Sequence, residues 1–232
     1  MNCNTVEGDK NMDFPKISEL LDLSHTEAAE LFSGCEYPWE ILPKIKDFVI
    51  SLGKTLSSDE YYSPAENVYI AKSATVAPTA SITGPCIIGP ETEVRHCAFI
   101  RGSVLIGKGS VIGNSTELKN CIIFDSVQVP HYNYVGDSVL GYHSHMGAGS
   151  ITSNVKADHG NVSVNINGEK KQTGLRKFGA ILGDYAEIGC GAVLNPGSVI
   201  GKNSNVYPLC SVRGYVPSFH ICKSADNIVK KI

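Results

Sequence analysis

The segment VPHYNYVGDSVLG, residues 129–141, carries one histidine and two tyrosines. Imidazole titrates near neutral pH, so His131 is suited to take a proton from a nucleophile as it attacks. The competing use is a corner histidine satisfied by solvent. His143 and His145 stand two apart, a spacing that would place both on one side of a strand. With a third donor they could ligate a metal, and without one they read as a surface or interface pair. Cys190 is a nucleophile by type and a small packing residue by context. Lys170, Lys171, Arg176 and Lys177 put four cations into one short stretch, either to grip phosphate or to lie in solvent.

These residues interrupt or border a repeat that must position them. Counting in sixes from Ile70 gives Val76, Ile82, Ile88, Val94, Ile100, Ile106, Ile112, Leu118 and Phe124. The beat returns at Leu182, Ile188, Leu194, Ile200, Val206 and Val212. Small residues follow four later, among them Ala80, Cys86, Thr92, Ala98, Ser110, Ala192 and Ser198. This is the hexapeptide repeat of a parallel β-helix: each hexad supplies a short strand and a bend, and the aliphatic residue points into the prism. Coils of this kind stack through main-chain hydrogen bonds. Between Phe124 and Leu140 the aliphatic positions run 124, 129, 135 and 140, so two hexads are one residue short, and that shortening is expected to turn His131 outward. Between 155 and 177 the repeat stops, and NVSVNINGEKKQTG reads as a hairpin turning at Asn-Gly and leaving the prism.

The organisation that follows is a segment 1–63 with a disordered tail over the first 11 residues and two or three short helices between Phe14 and Leu56. The β-helix then spans 64–217 with its inserted loop at 155–177, and 218–232 forms a C-terminal tail. Trp39, Ile41, Leu42, Ile45, Phe48 and Val49 lie three and four apart and form a docking stripe, with Gly53 as a C-cap. The helical segment is expected to cap one open edge of the solenoid.

Composition narrows the class. Of 232 residues 42% are hydrophobic and the net charge is −3, which gives no electrostatic footprint for nucleic acid or an anionic membrane. No apolar run reaches membrane-spanning length and the N-terminus lacks a signal-peptide core, so a cytoplasmic protein is expected. Eight cysteines form no Cys-x-x-Cys pair and read as reduced thiols. No metal is expected.

ELKN at 117–120, the 129–141 segment and GAGSITSN at 147–154 closely resemble the acetyltransferase half of the bifunctional enzymes that make UDP-N-acetylglucosamine. GLRKFGAILGDYAEIGCGAVLNPGSVIG resembles their sugar-phosphate nucleotidyltransferase/acetyltransferase relatives. The resemblance covers roughly residues 68–217 and implies a left-handed parallel β-helix, all-β apart from the short N-terminal α-helical segment, assembled as a homotrimer with sites between prisms. It implies acyl transfer from acetyl-CoA, as co-substrate, to the amine of a sugar phosphate or nucleotide sugar. His131 falls on the general base and Glu117 on the carboxylate that orients it. Arg101 and Lys119 fall on cations that hold the sugar phosphate, and Tyr134 and Asn154 on groups contacting the amino sugar. His145 stands where the bacterial enzymes have an asparagine against the sugar. Gly147, Ala148 and Gly149 fall on backbone that approaches the coenzyme, and Cys190 on a serine that touches it.

The family's lysine in N-Y-D-G-x-x-K is absent, and fewer than 70 residues precede the repeat with no glycine-rich phosphate loop, so pyrophosphorylase activity is not expected. Two rivals stand beside transfer. One is a stand-alone sugar-nucleotide-binding or regulatory homologue of UDP-N-acetylglucosamine pyrophosphorylase that lacks the nucleotidyltransferase domain. The other is a structural β-helix, or a γ-carbonic-anhydrase-like enzyme using His131, His143 and His145.

Overall fold

The computed structural model describes residues 13–232; the disorder expected over the first 11 residues lies outside them. The chain is mostly β, a left-handed parallel β-helix with a short helical N-terminal segment. Its strands stack into three faces. The first face runs through Val68–Ala71, Cys86–Ile88, Val104–Ile106, Ala180–Leu182 and Ser198–Ile200. The second runs through Glu93–Val94, Val111–Asn114, Gln128–His131, His145–Met146, Glu187–Ile188 and Asn205–Val206. The third takes Ser81–Ile82, Phe99–Ile100, Ile151–Thr152, Val193–Leu194 and Ser211–Val212. Two seven-residue strands, Glu117–Ile123 and Tyr134–Leu140, begin on the third face and finish on the first.

The aliphatic beat fills the prism as expected, with Ile88, Ile100, Ile112, Leu118, Val135 and Leu194 buried. Small residues hold the bends for a hydrogen-bonding reason as well as a steric one. Buried Thr92, Ser110 and Thr116 each donate from the side-chain hydroxyl to a carbonyl of the next coil, Gly107, Phe124 and Val129.

The register differs at one point that matters. Ile123, rather than Phe124, stacks in the column of Ile88 and Ile106. The shortened sides are therefore Leu118 to Ile123 and Val135 to Leu140, both at the corner between the third and first faces. The side from Val129 to Val135, which carries His131, has its full length. With one residue fewer, the chain rounds the corner without leaving the strand, and Asn120 and Asp137 take positive φ there (48° and 49°). Phe124 takes the outward position that Gly89, Gly107, Gly141, Gly183 and Gly201 hold in other coils, as the amide-to-carbonyl ladder shows. It is fully buried, edge-on to Phe32 at 6.1 Å.

Phe32 comes from the N-terminal segment, which lies along the prism and does not cap an end. A helix Ile45–Gly53 and shorter turns at Ile17–Leu20, Ala29–Phe32 and Pro38–Lys44 cover the first face. The cover explains why Cys86–Ile88, Val104–Ile106, Ala180–Leu182 and Ser198–Ile200 are buried at every residue while the other faces alternate. Each outward residue of that row, such as Ile87, Leu105 or Ile181, is stabilised by about 1.5–3 kcal/mol on burial. Trp39 stacks on Tyr37 (4.8 Å) and packs against Phe178 (6.0 Å). Asp184, nearly inaccessible, fastens the other end by accepting from the Asp22 and Tyr142 amides and from Lys202 Nζ at 3.0 Å. Gly53 ends the helix without a left-handed cap, since Lys54 has φ −71°. Its missing side chain serves the contact with Tyr69, whose ring a Cβ would meet at 2.2 Å.

One edge at each end is closed by an antiparallel strand. Tyr61–Ala65 pairs with Val68–Ala71 at one end, across the expected boundary at 63/64. At the other, His220–Ser224 continues the parallel ladder and Asn227–Lys230 pairs back on it, so residues 218–232 form strand where a tail was expected. Reversed strands of this kind close an edge that would otherwise recruit another chain.

Within the 155–177 insert, Ser163–Ile166 pairs with Glu169–Gln172 through Asn167 and Gly168, both at positive φ. The hairpin folds back onto the prism, with Val162, Val164 and Ile166 buried.

Candidate functional site

His131 ends its strand at the corner between the second and third faces, with an exposed side chain. The corner is a ladder in which each coil's carbonyl accepts from the coil below: Tyr132 N–H to Asn114, Gly149 N–H to His131 and Gly191 N–H to Ala148. His131, Ala148 and Cys190 therefore occupy successive steps of one edge, at about 4.8 Å per coil. The residue after each step has positive φ: Tyr132, Gly149 and Gly191. Buried Asn133 sets the turn. Its Oδ1 accepts from the His131 amide (3.0 Å) while Nδ2 donates to the Gly147 and Ser150 carbonyls (2.8 and 3.0 Å).

Gly147 holds the step before Ala148, where a Cβ would lie 2.7 Å from the Cys190 amide nitrogen. The chain there admits only glycine, so backbone and small side chains alone are offered below His131. Cys190 itself is exposed.

A polar cluster occupies the third face and its far corner. Arg101 and Glu117 form an ion pair at 2.6 Å, and Lys119 lies 3.9 Å from Asp137. Glu117 thus engages Arg101 within the chain, where it was expected to orient His131. The register gives the reason: Glu117 pairs with Phe99 in the coil above, two residues from Arg101, and His131 sits around a corner. Asp137, nearly inaccessible, accepts from Asn120 Nδ2 at 2.8 Å and from Asn154 Nδ2. Asn154 Nδ2 also reaches the Tyr134 hydroxyl (3.3 Å). The Tyr134 ring lies over Gly136, where a Cβ would meet its hydroxyl oxygen at 2.4 Å. Desolvation raises the Tyr134 pKa above the usual phenol value, and the Asp137 and Glu117 carboxylates add to the rise. Tyr134 is thereby kept as a neutral hydroxyl beside a carboxylate.

His145 lies on the second face, its Nδ1 2.9 Å from Glu187 Oε2, apart from the Tyr134 cluster within one prism. His143 stands at the opposite edge of that face, stacked on Tyr185 at 5.5 Å. The three histidines therefore lie on two corners and the face between them. No cluster of three metal-ligating side chains occurs among the described residues.

Asp137, Asn120 and Asn133 were missed as site residues. The first two lie inside quoted motifs, ELKN and VGD, yet only the register shows that both are corner residues bonded to each other. Asn133 has a fainter signal: it is oversized for the small-residue track that Thr116 and Ser150 keep on either side.

The cysteines divide by accessibility. Burial pushes the Cys86 thiol up to about 12, and Cys121 is raised by burial as well. Cys97 and Cys190 are exposed. Titration of the native protein with a chromogenic disulfide at pH 8 is expected to label Cys97 and Cys190 rapidly. Cys86 and Cys121 should react only in denaturant. Rapid loss of the Cys86 thiol in native protein would contradict the buried first face.

Comparison with known proteins places this architecture. The GMPPB C-terminal domain family matches residues 65–172. A bifunctional protein GlmU of Methanococcus maripaludis is 31% identical over 216 residues, 92% of this chain and 52% of its own length. The protein is a homologue of GlmU. A bifunctional sugar-1-phosphate nucleotidylyltransferase/acetyltransferase of Sulfurisphaera tokodaii is 33% identical over 111 residues, 48% of this chain and 28% of its own. The chain spans about half the length, or less, of these curated relatives. Among solved structures, PerB of Caulobacter crescentus, crystallised with CoA and GDP-perosamine, is 19% identical with a TM-score of 0.34, covering 66% of this chain and 52% of its own. No helix among the described residues is long and apolar enough to cross a membrane.

Proposed function

We propose that this GlmU homologue is a CoA-dependent acyltransferase that moves an acetyl group to the amine of an amino-sugar phosphate or nucleotide sugar. The observation that carries the reading is the corner ladder, which sets exposed His131 directly above Ala148 and Cys190 and beside the third-face polar cluster. Acetyl-CoA would lie along that edge with its thioester at the level of His131. The amine nitrogen attacks the thioester carbonyl while His131 takes the amine proton. The tetrahedral intermediate then collapses, the C–S bond breaks, and the CoA sulfur leaves and is protonated. The Ala148 and Cys190 amides, which are not donors in that ladder, supply hydrogen bonds to the developing oxyanion. Tyr134 and Asn154 hold the sugar, with Asp137 fixing the Asn154 amide and Lys119. A homotrimer, with each corner facing a neighbouring prism, completes the site.

One observation favours the regulatory reading instead. Arg101 and Lys119 already face Glu117 and Asp137, so a ligand phosphate must displace those contacts. The two readings part in one assay: thiol release from acetyl-CoA with glucosamine 1-phosphate and nucleotide-linked amino sugars as acceptors. Acceptor-dependent release is the expected result. Tight acceptor binding without release would overturn transfer in favour of the binding subunit.

A further inference from the structure

A cleft of about 540 Å³ lies lower on the third face beneath the inserted hairpin. Its residues come from three places. Lys156 and Asp158 lie where the chain leaves the prism, Asn165 and Lys170 are cross-strand partners in the hairpin, and Asn195 and Arg213 project from the third face. We propose that this cleft binds a nucleoside diphosphate.

Charge is the first argument. Lys156 is held by Asp158 at 3.0 Å, but neither Lys170 nor Arg213 is in an ion pair among the described residues. The cations higher on the same face are matched by carboxylates, so the unmatched positive charge of this face sits in the cleft. A lysine and an arginine on opposite walls suit the two phosphates of a diphosphate, a point charge for one and a planar fork for the other. The Asn165 amide offers a partner for a ribose hydroxyl or a base edge, and Asn195 offers its Oδ1, since its Nδ2 already donates to Ser211 Oγ and the Val212 carbonyl. The volume falls in the range of nucleotide-sized ligands.

Construction is the second argument. The hairpin wall is seated on glycines: a Cβ at Gly214 would lie 2.4 Å from the Asn165 carbonyl and one at Gly197 2.8 Å from that of Ser163. Both glycines have positive φ, 77° and 80°. The wall is therefore fixed against the prism, and Asn165 and Lys170 are held over the third face before any ligand arrives.

Position is the third. Gly136, Ser153, Asn195 and Arg213 follow one another down one row of the third face. Ser153 lines the cleft and adjoins Asn154 of the upper cluster. A nucleotide in the cleft would continue directly from a sugar held at Tyr134 and Asn154.

Two ligands of the proposed reaction carry this chemistry, a nucleotide-sugar acceptor and the adenosine diphosphate end of CoA. Assigning the source rests on the acyl-transfer reading; binding in the cleft does not. Calorimetric titration with uridine diphosphate and with 3′-phosphoadenosine 5′-diphosphate, on the full chain and on the doubly substituted Lys170→Ala/Arg213→Ala form, separates them. Both side chains are exposed, so the substitution leaves the fold intact. Arg176→Ala, in the same insert but outside the cleft, controls for simple loss of charge. The expected result is an increase of about tenfold or more in Kd for uridine diphosphate in the double variant alone. A comparable increase confined to 3′-phosphoadenosine 5′-diphosphate assigns the cleft to the coenzyme. Binding of both probes unchanged by the double variant, or matched by Arg176→Ala, overturns the proposal. Thiol release in the wild type reads the acyl-transfer proposal separately: release with unmoved Kd values sinks only the cleft, and moved Kd values without release sink only transfer.

Discussion

His131→Ala is expected to lower acceptor-dependent thiol release by about 10²- to 10⁴-fold, the range associated with losing a positioned general base. The structure separates this effect from misfolding. The His131 amide donates to Asn133 Oδ1 and its carbonyl accepts from Gly149, so both corner contacts are main-chain and survive the substitution. The ring is exposed and fills no core volume. Coenzyme affinity should therefore be unchanged while kcat falls. A further signature distinguishes a base from a contact residue: raising the pH should restore part of the variant's rate, because more of the amine is then already deprotonated. A variant retaining more than a tenth of the wild-type kcat, with an unchanged pH profile, would remove His131 from the mechanism.

Trp39→Ala is expected to destabilise the protein by about 3–5 kcal/mol, the usual cost of truncating a fully packed aromatic. Trp39 is 2% exposed, stacks on Tyr37 and packs on Phe178, so it joins the N-terminal segment to the coil that follows the insert. Tyr37 in turn takes a hydrogen bond from Lys171 Nζ at 2.9 Å, which ties the hairpin to the same segment. Loosening this junction exposes the apolar outer row of the first face. Chemical denaturation followed by far-UV circular dichroism is the appropriate measurement, since Trp39 is the chain's sole tryptophan and its fluorescence is lost with it. An unchanged midpoint would mean that the segment does not hold the first face closed.

The hexads settled the prism from sequence, because an inward aliphatic residue every six positions is a local rule that each coil repeats. The same rule could not settle the stretch 117–124. Ile122, Ile123 and Phe124 are all apolar, and composition alone cannot say which points inward. Stacking against Ile106 selects Ile123, moves the first shortened side to the Asn120 corner, in line with the second at the Asp137 corner, and leaves His131 on an ordinary one.

The helical character of residues 14–56 was legible in apolar spacing, but its docking place was not. A stripe of apolar residues says that a partner surface exists; only the uninterrupted burial of Ile87, Leu105, Ile181 and Val199 identifies the first face as that surface.

The site divides in the same way. His131 was singled out by type, and Tyr134, Asn154, Ala148 and Cys190 by resemblance, as candidates. That His131, Ala148 and Cys190 share one edge follows from a coil-to-coil register that spans 59 residues and an insertion. The Arg101–Glu117 pair and the Asp137 hub depend likewise on which residues neighbouring coils bring side by side. Sequence determined the repeat, the candidate residues for chemistry and the existence of the insert. Tertiary structure decided their partners, because in a solenoid side chains meet across coils, and the distance between coils is set by hydrogen-bonded stacking and not by position along the chain.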